Sequence, residues 1–273
     1  MNKGKVFWHE AHLEALKLEL HQYKDALSFI SEYQLSQKAL IMDVLIIKKD
    51  PHTVIKKNIG LIFRTHNVVE YKSEKDSLSI SNYNQVLAYA LLYSSFEKVP
   101  LEDITITFSL TVRPRDLFKY LKKERGLDLL SASKGITYVK GDILPVQVIE
   151  SKKLPEDENL FIKGLRRGNK TEEISKIINK YDNLLGLDTR NAYIDRLIRA
   201  NEDAFREVTV VSEELQRILY EIAVERGWLA EREQAVIAAT ARETARQLLS
   251  YGDPVEKIAA VTRLSVEEVM ELV

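Results

Sequence analysis

Two apolar stretches of this chain each carry charge where a buried strand would not be expected to have it. The first is Ile41-Met42-Asp43-Val44-Leu45-Ile46-Ile47-Lys48, with Asp43 inside the apolar run. The second is Asn67-Val68-Val69-Glu70-Tyr71-Lys72. Glu70 and Lys72 are two apart, so on a strand they point to the same face. A buried charge is costly unless it is paired or binds a metal. Two acids and a lysine meeting at a sheet are the residue types that hydrolyse phosphodiesters with a divalent ion. Magnesium is hard and takes one or two carboxylates plus waters and phosphate oxygens. Asp43 and Glu70 are therefore the candidate metal ligands, with Mg²⁺ or Mn²⁺ as the expected ion. Lys72 is placed to orient the attacking water or to stabilise charge developing on the phosphate. Glu19, late in the first helix, is a candidate acid to approach from above, supporting the metal ligands or holding a second metal. Gln85, early in the helix after the third strand, is a candidate partner for the water or a phosphate.

The elements that must position these residues follow from pattern. Trp8 to Leu20 reads as a helix. Leu27 to Leu35, Ala39 to Lys48 and His66 to Lys72 read as strands, with Pro51 and Gly60 breaking the connection between the last two. Ser81 to Phe96 has the apolar spacing of an amphipathic helix. Ile104 to Val112 alternates β-branched and polar residues, as a strand does. Pro114 opens a short basic helix to about Arg125. Ile136 to Val139 and Val146 to Ile149 flank Gly141-Asp142 as a hairpin. Helix, strand, strand, strand, helix, strand is an α/β layout that can set Asp43 and Glu70 on neighbouring strands.

Past Glu150 the strand signals fade. Helices are expected at Asp157 to Arg167, Thr171 to Lys180, Arg190 to Arg206, Ser212 to Arg226 and Glu231 to Ser250, with Gly227 and Gly252 at C-caps. A boundary is expected near residues 150–156, giving a core of 1–150 and a helical region of 151–273. Asp253-Pro254-Val255-Glu256 and Ser265-Val266-Glu267-Glu268 are two helix starts, arranged as a degenerate helix-turn-helix over 253–272. The second of these helices carries Glu267, Glu268 and Glu271, which phosphates would repel. A packing or protein-interaction role is favoured there over reading DNA.

The 273 residues suffice for one large domain or two ordinary ones, and 45% apolar with 30% charged residues is the composition of a globular protein. There is no cysteine, which excludes disulfides, thiolate zinc sites and cysteine nucleophiles. No apolar run approaches the ~20 residues that span a bilayer, and no signal-peptide pattern opens the chain. No membrane association and a cytoplasmic location are expected. The net charge of −1 is not that of a DNA-coating protein. A nuclease needs only a local basic rim. Lys48, Lys49, Lys56, Lys57 and Arg64 are the best candidates for it. Further basic clusters are Arg113 to Arg125, and Lys163, Arg166, Arg167 and Lys170. His9 and His12 lack metal-ligand spacing and read as packing or surface residues. No Gly-rich phosphate loop or Gly-x-Ser-x-Gly elbow is present, and no small-molecule organic cofactor is expected.

Asp43 in one strand, Glu70-Tyr71-Lys72 in the next and a helix after it resemble the PD-(D/E)XK nuclease superfamily. The phrases 43–49, 62–64 and 67–72, with the closing stretch 252–269, are similar to its Rpn-like branch (recombination-promoting nucleases, or PD-(D/E)XK family transposases). Met42 stands where the superfamily name puts proline. The resemblance implies a restriction-endonuclease-like core, a mixed central sheet flanked by helices, followed by an all-helical C-terminal region. It implies metal-dependent DNA endonuclease activity linked to recombination or mobile elements, with Asp43, Glu70 and Lys72 as motif residues. Cutting both strands through a single site would call for a homodimer. The alternative is a catalytically retired nuclease scaffold that oligomerises or binds DNA or protein.

Overall fold

The computed structural model describes residues 8–34, 41–74, 76–185, 192–206, 217, 220–221, 223–224 and 227–272. It divides into two compact units, Met1–Thr209 and Val210–Val273.

The first unit is α/β. Helix α1 (Trp8–Glu19) is followed by strands β1 (Leu27–Gln34), β2 (Ile41–Lys48) and β3 (His66–Lys72), helix α2 (Ile80–Glu97) and strand β4 (Ile104–Leu110). Helix α3 (Arg115–Lys123) leads into β5 (Asp128–Ser133), β6 (Ile136–Lys140) and β7 (Val146–Glu150). These strands make one seven-stranded sheet in the order β1-β2-β3-β4-β7-β6-β5. The three-strand centre β3, β4, β7 is parallel, and both flanks are antiparallel. A parallel pair needs a crossover, and α2 supplies it between β3 and β4. The 136–149 hairpin forms as expected, with Ile136 opposite Ile149. Strand β5 is an addition. Its Asp128-Leu129-Leu130-Ser131-Ala132-Ser133 is short and mostly exposed, so only the pairing with β6 defines it.

Helix α2 is fixed by a capping box. Ser79 accepts the Asn82 N–H, and Asn82 reciprocates. Its Tyr83, Val86, Leu87 and Ala90 pack with Leu45, Val68, Ile106 and Phe108 of the sheet. All seven residues of β4 are buried, as a central strand covered on both faces requires. On the other face Asn67 is fully buried and saturated. It accepts from Arg64 N–H and Thr105 Oγ1 and donates to the Ile46 and Arg64 carbonyls. α1 lies on this second face, where His12 Nε2 is 2.8 Å from Ser109 Oγ of β4.

The strands give way to helices after Glu150, as expected, but the compact unit continues. Helices α4 (Leu160–Gly164), α5 (Thr171–Leu185), α6 (Ala192–Ala200) and α7 (Glu202–Arg206) belong to it, with α4 and α6 packed on α1. Phe161, Tyr181, Tyr193 and Leu197 are buried there.

In the second unit, α8 (Trp228–Ser250), α9 (Val255–Thr262) and α10 (Val266–Met270) surround a small core of Ala245, Ile258 and Val269. The two short tail helices form, separated by Arg263 in the left-handed region at φ 60°. Ser265 and Glu268 make the expected capping box. Helix α9 starts one residue late, with Pro254 as its N-cap, and Asp253 instead pairs with Lys257 at 2.7 Å. Most of the helix expected at Ser212 to Arg226 lies outside the described residues. No described helix is long and apolar enough to cross a membrane.

Candidate active site

Asp43 and Glu70 lie on adjacent antiparallel strands. The β2–β3 ladder runs from Ile47 opposite His66 to Val44 opposite Val69, so the next positions along it are Asp43 and Glu70. On the other side, β1 pairs Ser31 with Val44 and Tyr33 with Met42, skipping Glu32 opposite Asp43, where Glu32 takes φ 50°. The backbone ladder thus lapses at Asp43 on both flanks. Its side chain substitutes: Asp43 Oδ2 accepts the Tyr71 N–H at 2.9 Å. The same oxygen lies 3.1 Å from His9 Nδ1, at the start of α1.

Lys72 lies on the same strand face as Glu70, as the two-residue spacing predicts. Its Nζ donates to Glu70 Oε1 at 2.6 Å. Glu70 and Lys72 side chains are 12% and 18% exposed, so this pair is screened far less than a surface pair. Among the described residues no hydrogen bond or ion pair occupies Asp43 Oδ1 or Glu70 Oε2.

The charges act on one another. Burial, and then the charge of Asp43, pushes the Glu70 carboxyl above 4.5, with Lys72 pulling the other way. For Asp43, burial pushes up. The His9 hydrogen bond and charge, the Tyr71 N–H and Lys72 outweigh it and hold the carboxyl below 3.8. The Asp43 hydrogen bond raises His9 above 6.5. His12, one turn on, is buried and pushed down to about 3, so it is neutral, stacked on the Tyr71 ring at 4.4 Å. His12 is thus a packing residue, as read from sequence. His9 is not: it is part of the cluster. Its only sequence signal was its place at the start of a helix preceding the acid-bearing strands.

Glu19 is not brought to this cluster. It sits at the far end of α1, about 15 Å from His9 at 1.5 Å per residue. Its side chain is 1% exposed and pairs with Lys57 at 2.9 Å. It also accepts the Phe161 and Ile162 N–H groups at 2.7 and 3.2 Å, capping the start of α4. These contacts tie α1 to α4. Gln85 is exposed on α2 and donates to the Tyr89 hydroxyl of its own helix at 2.5 Å.

The basic rim of Lys48, Lys49, Lys56, Lys57 and Arg64 is also displaced. Lys48 ends β2 about 16 Å along the strand from Asp43, at ~3.3 Å per residue. Arg64 precedes the start of β3, whereas Glu70 and Lys72 are at its end. Lys48 is buried, and burial lowers its pKa. Lys57 is held by Glu19 and the Glu158 carbonyl, and Arg64 donates to the Glu102 carbonyl. Lys49 and Lys56 remain exposed. Nearness in sequence misled here because a strand separates its two ends by its full length.

Other charges gather at the end of the sheet where Lys72 lies. Register places Lys72 beside Leu110 and Leu110 beside Glu150. Buried Glu150 pairs with Arg113 at 2.7 Å and Lys153 at 2.6 Å, and Lys152 reaches Glu74 at 3.0 Å. This is the carboxyl end of the parallel strands, where open α/β sheets place ligands. Among the described residues no group of three or more His, Cys, Asp or Glu forms a ready-made metal cage. Two carboxylates, each with an oxygen to spare, still fit a magnesium ion that keeps waters and takes phosphate oxygens. Comparison with protein-family models, with curated proteins and with solved structures returned no match.

Proposed function

We propose that this protein is a Mg²⁺- or Mn²⁺-dependent DNA endonuclease with a restriction-endonuclease-like core of the PD-(D/E)XK type, nearest the Rpn-like branch. The observation that carries the reading is the meeting of Asp43, Glu70 and Lys72 at the end of two adjacent strands, with Asp43 Oδ1 and Glu70 Oε2 free among the described residues.

A divalent ion bound there supplies Lewis-acid polarisation of the phosphate and a more acidic water. Asp43 Oδ1 and Glu70 Oε2 would hold it. Tyr71 N–H and His9 fix the Asp43 carboxylate so that its free oxygen keeps one direction. Lys72, hydrogen-bonded to Glu70, stands where it can orient the attacking water or meet negative charge on the phosphate. Burial, and after it the charge of Asp43, raises the Glu70 pKa, and a cation held by the two carboxylates would relieve the second of these. DNA as substrate, a homodimer as the cutting assembly and a role in recombination or mobile elements are part of this proposal.

A second reading has its own observation. His9–Asp43 and Lys72–Glu70 neutralise the cluster in pairs without any ligand, as a retired site kept as an interaction scaffold would. Plasmid nicking by the full chain with Mg²⁺, Mn²⁺, Ca²⁺ or EDTA, beside Asp43→Ala and Lys72→Ala, separates the two. Metal-dependent cutting lost in both variants supports the endonuclease. No cutting under any metal, or equal cutting by the variants, overturns it.

A further inference from the structure

Lys72, Leu110 and Glu150 lie side by side across the parallel strands β3, β4 and β7. Two strand spacings, about 10 Å, separate Lys72 from Glu150. Their side chains share one face of the sheet. Val68, Phe108 and Val148 pack in one core with Tyr83 of α2 and Phe118 of α3, and residues an even number of positions apart on a strand point the same way. Glu70, Lys72, Leu110 and Glu150 therefore project on the α2–α3 side, at the carboxyl end of the parallel strands. A direct contact joins the two places. Lys152, in the short turn Ser151–Lys153 after β7, reaches Glu74, just beyond Lys72, at 3.0 Å.

Glu150 is the buried centre of a pair of cations. Its side chain is 4% exposed and holds Arg113 Nη1 at 2.7 Å through one oxygen and Lys153 Nζ at 2.6 Å through the other. One carboxylate thus fixes two cations, and the trio keeps a net positive charge. The Arg113 guanidinium carbon is also 4.8 Å from the centre of the Phe118 ring. Both cations nevertheless face solvent, with the Arg113 and Lys153 side chains 45% and 53% exposed. A guanidinium has five donors and an ammonium three, and Glu150 takes one of each. Helix α3 extends this surface. It buries Leu117, Phe118 and Leu121 and exposes Arg115, Lys119 and Lys123 at four-residue spacing, a ridge of about 12 Å. Among the described residues none of these three is in an ion pair. Asp116 is the one acid in the helix.

We propose that Arg113 and Lys153, set by Glu150, bind a backbone phosphate of the nucleic-acid substrate beside the acid cluster, and that the exposed face of α3 binds phosphates further along the backbone. A row of separate cations suits a polyanion, and such contacts fix position on a backbone without reading bases. A lipid surface fits less well, because α3 spends its apolar face on the core and has none to insert. The nucleic-acid occupant rests on the endonuclease reading, whereas the cationic surface rests on the geometry alone.

The test is fluorescence anisotropy of the full chain with a 5′-labelled DNA duplex in EDTA, across a salt series, with a thermal midpoint for every variant. Lys153→Gln leaves Glu150 its Arg113 partner, and Arg113→Gln leaves it Lys153. The double variant Lys119→Gln/Lys123→Gln changes only exposed side chains. Lys49→Gln/Lys56→Gln removes the same number of charges from the displaced rim. Affinity should fall about fivefold in Lys153→Gln and in Arg113→Gln, and about tenfold in Lys119→Gln/Lys123→Gln, with salt slopes shallower by about one, one and two. Midpoints of Lys153→Gln and of the α3 variant should stay within ~2 °C of wild type. If Arg113→Gln folds poorly, Lys153→Gln still reports on the same phosphate. Lys49→Gln/Lys56→Gln should bind as wild type does. Unchanged binding in either Lys153→Gln or the α3 variant overturns the proposal, and so does an equal loss in Lys49→Gln/Lys56→Gln, which would mean that only net charge is sensed. Wild type that binds phosphatidylserine vesicles but ignores DNA also overturns it. DNA binding that depends on these cations in a protein that never cuts supports the proposal while the endonuclease reading fails. Metal-dependent cutting with DNA binding indifferent to them does the reverse.

Discussion

Replacing Asp43 by Asn separates the structural role of this side chain from its charge. The carboxamide oxygen can still accept the Tyr71 N–H, which the lapsed ladder leaves to it at 2.9 Å. What is lost is the ion pair with His9 at 3.1 Å, whose partner is 55% exposed, so solvent screening limits its worth to about 1 kcal/mol or less. What is gained is relief of the Asp43 charge, which adds to burial in raising Glu70. The two nearly cancel, so the metal-free Asp43→Asn protein should unfold within a few degrees of wild type. The metal response should differ sharply. An ion at a hundredfold excess over its Kd stabilises the folded state by about 2.7 kcal/mol. For a unit of this size that is roughly 5–10 °C in Tm. Wild type should show that shift with Mn²⁺, and Asp43→Asn should show little of it and lose DNA cutting by a factor of ~100 or more. Differential scanning fluorimetry over a Mn²⁺ series, with plasmid nicking on the same samples, measures both. A full metal shift in Asp43→Asn would remove Asp43 from the metal site. A metal-free drop of ~10 °C would mean the carboxylate is a structural keystone.

Further predictions concern the surroundings. The His9–Asp43 pair raises the pKa of His9, so its stabilisation is fully present below 6.5 and lost as pH rises through the higher folded value. The Tm gap between wild type and His9→Ala, metal-free, should therefore shrink from pH 6 to pH 8.5; a gap that is constant or widens contradicts the pair. Removing Glu19 leaves two α4 N–H groups without their acceptor and Lys57 with only the Glu158 carbonyl. Glu19→Ala should cost about 3–5 kcal/mol, roughly 10 °C in Tm, while leaving the Mn²⁺ shift intact. Loss of that shift in folded protein would return Glu19 to the chemistry. Gly135 takes φ 82°, and a Cβ there would sit 2.9–3.1 Å from the backbone of Leu154, Lys153 and Glu150. Gly135→Ala should lower Tm clearly more than Gly126→Ala, where φ is 64° but nothing lies within 4 Å.

The helix and strand pattern was legible because apolar periodicity is a local property. Residues 66–72 form β3 as read, and α2 and β4 differ from expectation only at their ends. Glu70 and Lys72 were assigned to one face because strand parity fixes it, and the 2.6 Å bond agrees. That Asp43 comes beside Glu70 required only that two consecutive strands pair. Pattern could not show that residues 160–206 join the first unit, because α4 and α6 are held by contacts with α1, more than a hundred residues away. Nor could it tell which end of a strand carries the acid cluster. Lys48 is five residues from Asp43 in the chain, yet it occupies the opposite end of β2. Glu19 is an acid on the right helix, but ten residues of α1 carry it to Lys57 and α4 instead. His9 had no local signature. Its significance comes from an Asp43 oxygen brought to it by packing. The sequence by itself determined the elements and the residue types that can do chemistry. Tertiary structure decided which of those residues share a site, because charges interact over a few ångströms of space and not along the chain.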